Sequence, residues 1–427
     1  MNRWRSMTWG EWKKVGVAVS LALALGFGVS GGGNVSGASP SFTMTIGDVE
    51  PYTGDLGPLG APADKAVKLA TAQLNQAAKQ AGLRITFKLS TADTRSDPQG
   101  AILAARQVVD AGATCLTGPA STPEATAILN SVTKLKHIAM LPSATSTRLR
   151  KVDDGHTIFR TVPPDNLQAR ALVIAVKGAL GGAQGKTVAI GYQNSPYGEG
   201  LANTFKQEWT AMGGKIQGPI GYDPNQASYD SEAAAIVKNN PDAFVFADFP
   251  DTFGKVSAAL LRTGKFSAGK LFVSDALAVS PIPSAIPSAA LEGGHATNAG
   301  SPTGTPEAKT FNALYLGAPG PRRFALDANN FDSAILCGLA AVAAGSNASA
   351  KIAAQLPKIS GPAGEPFTYL RLSNAMKALA AGKQIHYVGV SGPIDFDSRG
   401  DTSSGTFDLS TWKNGTLVLV RKIDTKG

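Results

Sequence analysis

The sequence predicts an α/β protein made of two doubly wound parallel-sheet lobes. From Phe42 onward, short apolar runs alternate with helix-spaced ones. Repeated strand–helix–strand units of this kind set the strands parallel and place helices on both faces of the sheet. The alternation breaks at Thr161-Val-Pro-Pro-Asp165 and then starts again. At 427 residues, 43% apolar and 17% charged, the chain has the length and the apolar content for two cores.

Phe42–Val49 alternates as a strand. Asp64–Ala81 has helical spacing through Ala66, Leu69, Ala70, Leu74, Ala77 and Ala78, and stops at Gly82. Leu83–Leu89 is the next strand. Asp97 caps a helix reaching Ala111, with Pro98 in its first position. The strand Ala113–Leu116, a helix over 123–134 and the strand His137–Leu141 follow. After the break come a helix over Asn166–Leu180, a strand over Thr187–Tyr192 and a helix over Gly198–Met212. A strand over Lys215–Gly221, a helix over Tyr229–Asn239 and a strand over Ala243–Ala247 continue the series. It closes with a helix over Asp251–Arg262 and a strand over Lys270–Ser274. Pro281–Pro287, rich in Pro and Ser, reads as a segment crossing between lobes. Helices over Pro306–Leu316, Ala325–Ala344 and Thr368–Ala381 precede a tail of short strands, Ile394–Val420. In that tail Asn414-Gly415 is a hairpin signal.

Two strand ends carry the most chemistry. Thr117-Gly-Pro-Ala-Ser-Thr-Pro-Glu-Ala125 and Leu141-Pro-Ser-Ala-Thr-Ser146 are small, hydroxyl-rich turns after buried strands. Such turns aim free N–H groups, hydroxyls and the positive end of a helix dipole at one spot, which suits a carboxylate. Either turn alone reads first as an ordinary Ser/Thr helix cap.

The net charge of +9 is scattered, without a Lys/Arg run interleaved with aromatics, so nucleic acid is not an expected partner. Residues 1–38 read as a signal peptide, which implies an exported protein in the periplasm or on the outer side of the cell envelope. Arg3, Arg5, Lys13 and Lys14 form a basic start, Val15–Ser30 an uncharged apolar stretch short for a membrane span, and small residues follow. An uncleaved anchor is the alternative. The two cysteines, Cys115 and Cys337, fall in a core strand and on an apolar helix face. An exported chain can oxidise them, but the sequence gives no distance between them, so they read as two buried free thiols with a disulfide as the alternative.

Gly181-Gly-Ala-Gln-Gly-Lys-Thr187 fails as a phosphate loop, since Leu180 stands where Gly is needed and a strand follows it. The four histidines have no metal-ligand spacing, and no nucleophile has an evident base. An enzyme is therefore not expected, and no cofactor is implied.

The order of the pieces resembles the type I periplasmic solute-binding proteins of ABC transporters, and within them the branched-chain amino-acid (Leu/Ile/Val) binding family. The matching stretches are Ile46-Gly with Tyr52-Thr-Gly-Asp55, Asp93-Thr-Arg-Ser-Asp-Pro98, Gly118-Pro-Ala-Ser-Thr122, Pro142-Ser-Ala-Thr145, Tyr197-Gly-Glu-Gly-Leu201 and Gly392-Pro-Ile-Asp-Phe-Asp397 with Gly400-Asp401. The resemblance spans Phe42 to Lys422. It implies lobe one at 42–162 plus 292–407 and lobe two at 163–291 plus 408–427, joined by a three-segment hinge. A small ligand, an amino acid or an analogue, would lie between the lobes and pass to a membrane permease. Thr122 and Thr145 match carboxylate-binding hydroxyls and Ser143 a main-chain contact. Asp275 matches the acid facing the ligand's ammonium. Tyr197 and Phe249 match aromatic walls. Leu59 replaces a Tyr common in the first loop, and Phe249 stands where a Tyr hydroxyl often occurs, so the side-chain end of the pocket is expected to be apolar. The family also takes amides, urea and aromatic acids, and the same fold serves as a sensing receptor, the alternative reading.

Overall fold

The computed structural model describes residues 41–426 apart from Ala325; the expected signal peptide lies outside the described residues. Thirteen strands are described: β1 (Ser41–Glu50), β2 (Arg84–Asp93), β3 (Ala113–Thr117), β4 (Ala139–Leu141), β5 (Thr187–Gln193), β6 (Lys215–Tyr222), β7 (Ala243–Ala247), β8 (Leu271–Val273), β9 (His295–Ala299), β10 (Glu365–Phe367), β11 (Ile385–Tyr387), β12 (Ser404–Lys413) and β13 (Thr416–Lys426). One sheet has the order β2-β1-β3-β4, all parallel. The other has the order β13-β12-β9-β8-β7-β5-β6, with β5 to β9 parallel and β12 antiparallel to both neighbours.

The central strands of each sheet are buried on both faces. In β7, Ala243, Val245 and Ala247 point into one cluster with Leu172 and Phe205, while Phe244 and Phe246 point into another with Phe253 and Leu260. In β1, Met44 and Ile46 join a core with the helix Asp327–Ala344, and Val49 joins one with the helix Pro98–Asp110. A strand buried on both sides reads as a continuous apolar run.

Local signals account for many element ends. The Asp97 carboxylate accepts from Gly100 N at 2.7 Å, and Pro98 opens that helix. Asn414 and Gly415, with φ of 52° and 72°, make the two-residue turn that pairs Lys413 with Thr416. Positive φ at both positions is what a type I′ hairpin requires.

The structure differs from the sequence reading in three places. Pro281–Pro287 does not cross. Ile286 is buried with Phe253 and Trp412 against the second sheet, and Ala285 O lies so near Gly254 that a Cβ there would sit 2.3 Å from it. Pro and Ser mark irregular backbone but not its direction. The chain instead passes between the sheets after β4, after β9 and before β12, so β9 and the start of β12, within the expected first-lobe segment 292–407, pair in the second sheet. Cys115 and Cys337 are joined in a disulfide with Cα atoms 5.9 Å apart, not free. Both were rightly read as buried, but a separation of 222 residues carries no distance.

Candidate ligand site between the two sheets

The parallel strands of both sheets end toward one cavity, the place where open α/β sheets bind ligands. Its volume is about 30 Å3, and the free space around it, counting the part open to solvent, is about 440 Å3. The residues after β1 supply Leu56 and Leu59, those after β3 supply Ala120, Ser121 and Thr122, and those after β4 supply Ser143 and Thr145. From the second sheet come Tyr197 after β5, Phe249 after β7, and Asp275 and Ala276 after β8. Leu326 completes the lining. All seven residues singled out in the sequence thus meet in one cavity.

Close backbone approach sets two of these walls. A Cβ on Gly60 would lie 2.1 Å from Pro51 O, so only Gly lets the helix Gly57–Ala81 start against the end of β1 and hold Leu59 there. A Cβ on Gly198 would lie 2.2 Å from Gln193 O and 3.0 Å from Ala247 O, so Gly198 lets the helix Pro196–Ala211 sit on the ends of β5 and β7, with Tyr197 over them.

The hydroxyl wall has a division of labour. Ser121, not Thr122, is the helix cap. Ser121 N and Oγ donate to Glu124 at 3.0 and 2.5 Å, and Glu124 N returns to Ser121 Oγ, a capping box. Thr94 also donates to Glu124. Thr122 is freed from capping. Its Oγ1 accepts from Ser146 N at 3.4 Å, which leaves its hydrogen for a ligand acceptor. Ser143 N donates to Pro119 O at 2.9 Å and Ser143 Oγ to Asn330 Oδ1 at 3.3 Å, so the carbonyl is the main-chain group left to meet a ligand.

The opposite wall is acidic. Tyr197 Oη donates to Asp275 Oδ1 at 2.6 Å and lies 2.6 Å from Ser274 Oγ. Burial, and then the Asp275 charge, hold the Tyr197 hydroxyl well above its ordinary range, so it is a fixed neutral donor. Burial also pushes the Asp275 carboxyl up, against hydrogen bonds from Tyr197 and Gln168. A carboxylate so placed favours a cationic partner. Phe249 packs on Tyr197 with ring centroids 5.2 Å apart, and with Leu56, Leu59, Ala276 and Leu326 it makes the third side apolar.

Sequence reasoning missed Ser121 as a lining residue, Leu56, Ala120, Ala276 and Leu326. It also missed Asp165, which had only its place after Pro163-Pro164 to mark it. Asp165 is fully buried, and burial and then Asp275 push it up to about 8, against a hydrogen bond from the Thr145 hydroxyl. The lobes also touch directly. Ser146 Oγ donates to Pro196 O at 2.8 Å, and Arg148 pairs with Glu199. Among the described residues no group of three or more His, Cys, Asp or Glu is placed to hold a metal ion.

The sequence profile of a family described as periplasmic binding protein matches residues 43–416. The chain belongs to that family. It is 24% identical over 366 residues, 82% of this chain and 83% of the relative, to a chemotactic signal transduction system substrate-binding protein of Halobacterium salinarum. Its fold is similar to that of the branched-chain amino acid transporter substrate binding protein LivJ of Streptococcus pneumoniae in complex with isoleucine, with a TM-score of 0.70, 19% identity and coverage of 90% of this chain and 100% of that one. A solute-binding protein of an ABC transporter from R. palustris in complex with benzoate gives a TM-score of 0.64 at 19% identity, covering 90% and 98%. The fold is the type I periplasmic binding protein fold, as expected, and the family is one of solute-binding proteins.

Proposed function

We propose that this chain is an exported binding protein that takes an apolar α-amino acid between its two lobes and delivers it to an ABC importer permease. One observation carries the reading. A hydroxyl wall on the first sheet faces an acidic wall on the second, with an apolar side between them. Thr122 and Thr145 hold the carboxylate, Asp275 and the Ser143 carbonyl hold the ammonium, and Leu59, Tyr197 and Phe249 line the side chain. The moving bodies are 42–162 with the segment between β9 and β12, and 163–299 with 404–426; residues 1–38 direct export. The protein captures and releases its ligand without turnover.

The test is a thermal-shift screen with L-leucine, isoleucine, phenylalanine, amides, urea and benzoate. A ligand at 100 times its dissociation constant adds about 2.7 kcal/mol of stability. A shift with apolar amino acids supports the reading. Shifts only with ligands lacking an ammonium refute it.

The likeness to a chemotactic substrate-binding protein favours one second reading, a receptor whose closure is sensed by a signalling partner. Uptake of the bound ligand by membranes carrying the cognate permease, against activation of a signal transducer, separates the two.

A further inference from the structure

Arg160 lies on the first crossing segment and is fully buried. Its backbone N–H donates to Gly400 O at 2.7 Å and its Nε to Asp401 Oδ1 at 2.6 Å, which ties it to the crossing segment that leads into β12. Its Nη1 donates to Ala144 O at 3.2 Å and to Ser146 O at 2.9 Å, the carbonyls on either side of Thr145. The carbonyl between them, Thr145 O, accepts from Asp165 N at 2.9 Å, and the Thr145 hydroxyl is bonded to Asp165 too. Three successive carbonyls of the turn after β4 are thus drawn back onto the crossing segment. In a trans peptide the carbonyl and the following N–H point in opposite directions. Holding Ala144 O and Thr145 O back turns the N–H groups of Thr145 and Ser146 away from that segment. Ser146 N is found donating to Thr122 Oγ1 at 3.4 Å, beside the cavity, while Thr145 N has no acceptor among the described residues. A buried ion pair is weak evidence of a stabilising role. Here Nη2 has no partner among the described residues, which adds to the cost of burial. Asp401 is also shared with Arg150, whose Nη1 lies 2.8 Å from Oδ2. Removing Arg160 leaves Asp401 paired, and what is lost is the hold on the turn.

We propose that Arg160 is a positioning residue for the ligand's carboxylate: by holding Ala144 O and Ser146 O against the hinge it aims the Thr145 N–H into the cavity, and it thereby sets the preference of this wall for an acid over the corresponding amide. This rests on the amino-acid reading above. The guanidinium suits the task because its donors lie in one rigid plane, so a single group bonds Asp401 and both carbonyls at once. A lysine ammonium keeps the charge but lacks that fixed fork.

Two measurements test it. Calorimetry compares L-leucine with L-leucinamide, which keeps the ammonium and side chain but has no carboxylate. In Arg160→Met and Arg160→Lys, leucine affinity should fall about tenfold or more and leucinamide affinity less than about threefold, the loss expected for one hydrogen bond to a charged group. A residue that only supports the fold would weaken both ligands alike, so an unchanged leucine-to-leucinamide ratio overturns the proposal. If the protein binds benzoate but no amino acid, the amino-acid reading fails, and Arg160 stands or falls on the benzoate-to-benzamide ratio, which must drop in the same way. The second measurement needs no ligand. Amide hydrogen exchange at Ser146 and Asp165 should be about tenfold faster in both variants, with β7 unchanged, because the turn has lost its anchor. Wild-type exchange at those two amides overturns the proposal. If Arg160→Met fails to fold, Arg160→Lys decides: wild-type discrimination or wild-type exchange in that variant overturns the positioning role.

Discussion

Replacing Cys115 and Cys337 together by alanine removes the bond that ties β3 to the helix Asp327–Ala344. In the chain-entropy account, a cross-link stabilises by restricting the unfolded chain, and the effect grows with the loop it closes. The loop spans 222 residues, for which that relation gives about 5 kcal/mol at 25 °C. Denatured chains are not random coils and measured bonds usually deliver less, so a loss of about 2–5 kcal/mol is expected. Both sulfur-bearing side chains are fully buried, which adds a small void term at each site. The assay is urea unfolding followed by far-UV circular dichroism. The midpoint should fall, and the slope should rise because the unfolded chain, no longer cross-linked, exposes more surface. The bond also matters to the site. β3 runs on into Ala120–Thr122, and the helix starts just after Leu326, so the cross-link joins two walls of the cavity. A loss under about 1 kcal/mol, or an unchanged slope, would refute the unfolded-state reasoning.

Asp275→Ala should leave the fold intact, since it removes a carboxyl that burial disfavours, yet weaken leucine binding by about 2–5 kcal/mol, or roughly 30- to several-thousand-fold, because the ammonium loses its partner in a closed cleft; wild-type affinity by calorimetry would sink the assignment. Burial raises Asp48 to about 7, Asp248 to about 8, and Glu50, Glu124 and Asp332 in the same direction. Raised folded values mean that the folded state binds more protons, so stability should be greatest near pH 4–5 and decline toward pH 8; a melting temperature that climbs steadily from pH 5 to pH 8 contradicts this. Glu199→Gln breaks the interlobe pair with Arg148, whose side chains are about half exposed. Exposed pairs contribute about 0.2–1 kcal/mol, so ligand affinity should drop less than about fivefold at low salt and not at all in 0.5 M NaCl, the screening limit.

Much of the fold was legible because it depends on local rules. A strand buried on both faces must be an apolar run, Asp97-Pro98 must open a helix, and Asn414-Gly415 must turn a hairpin. The two hydroxyl turns were legible because open sheets bind ligands at strand ends, whereas Leu59, Tyr197, Phe249 and Asp275 were named from the family resemblance; all seven line the cavity. What stayed hidden depends on where distant segments meet. Neither the Cys115–Cys337 distance nor the path of Pro281–Pro287 is encoded in neighbouring residues. Thr122 and Ser121 look alike in sequence, and only the geometry of Glu124 shows which one caps the helix. Asp165 read only as the end of the Thr161–Asp165 break, because its burial is a property of the packed hinge.

The core of the first sheet gathers residues from Met44 through Ile394, whereas the parallel part of the second sheet, β5 to β9, is one unbroken stretch of chain. A growing polypeptide therefore makes the strands that bear Thr122 and Thr145 first but must keep them waiting. One face of these strands has only the helix Gly57–Ala81 as cover until the helix Asp327–Ala344 has been made, and Cys115 has no mate until Cys337 appears. The second sheet can assemble its parallel strands in the interval. The half of the molecule begun first is thus completed among the last, and a chain cut after β9 would own most of the binding side chains without a wall to hold them.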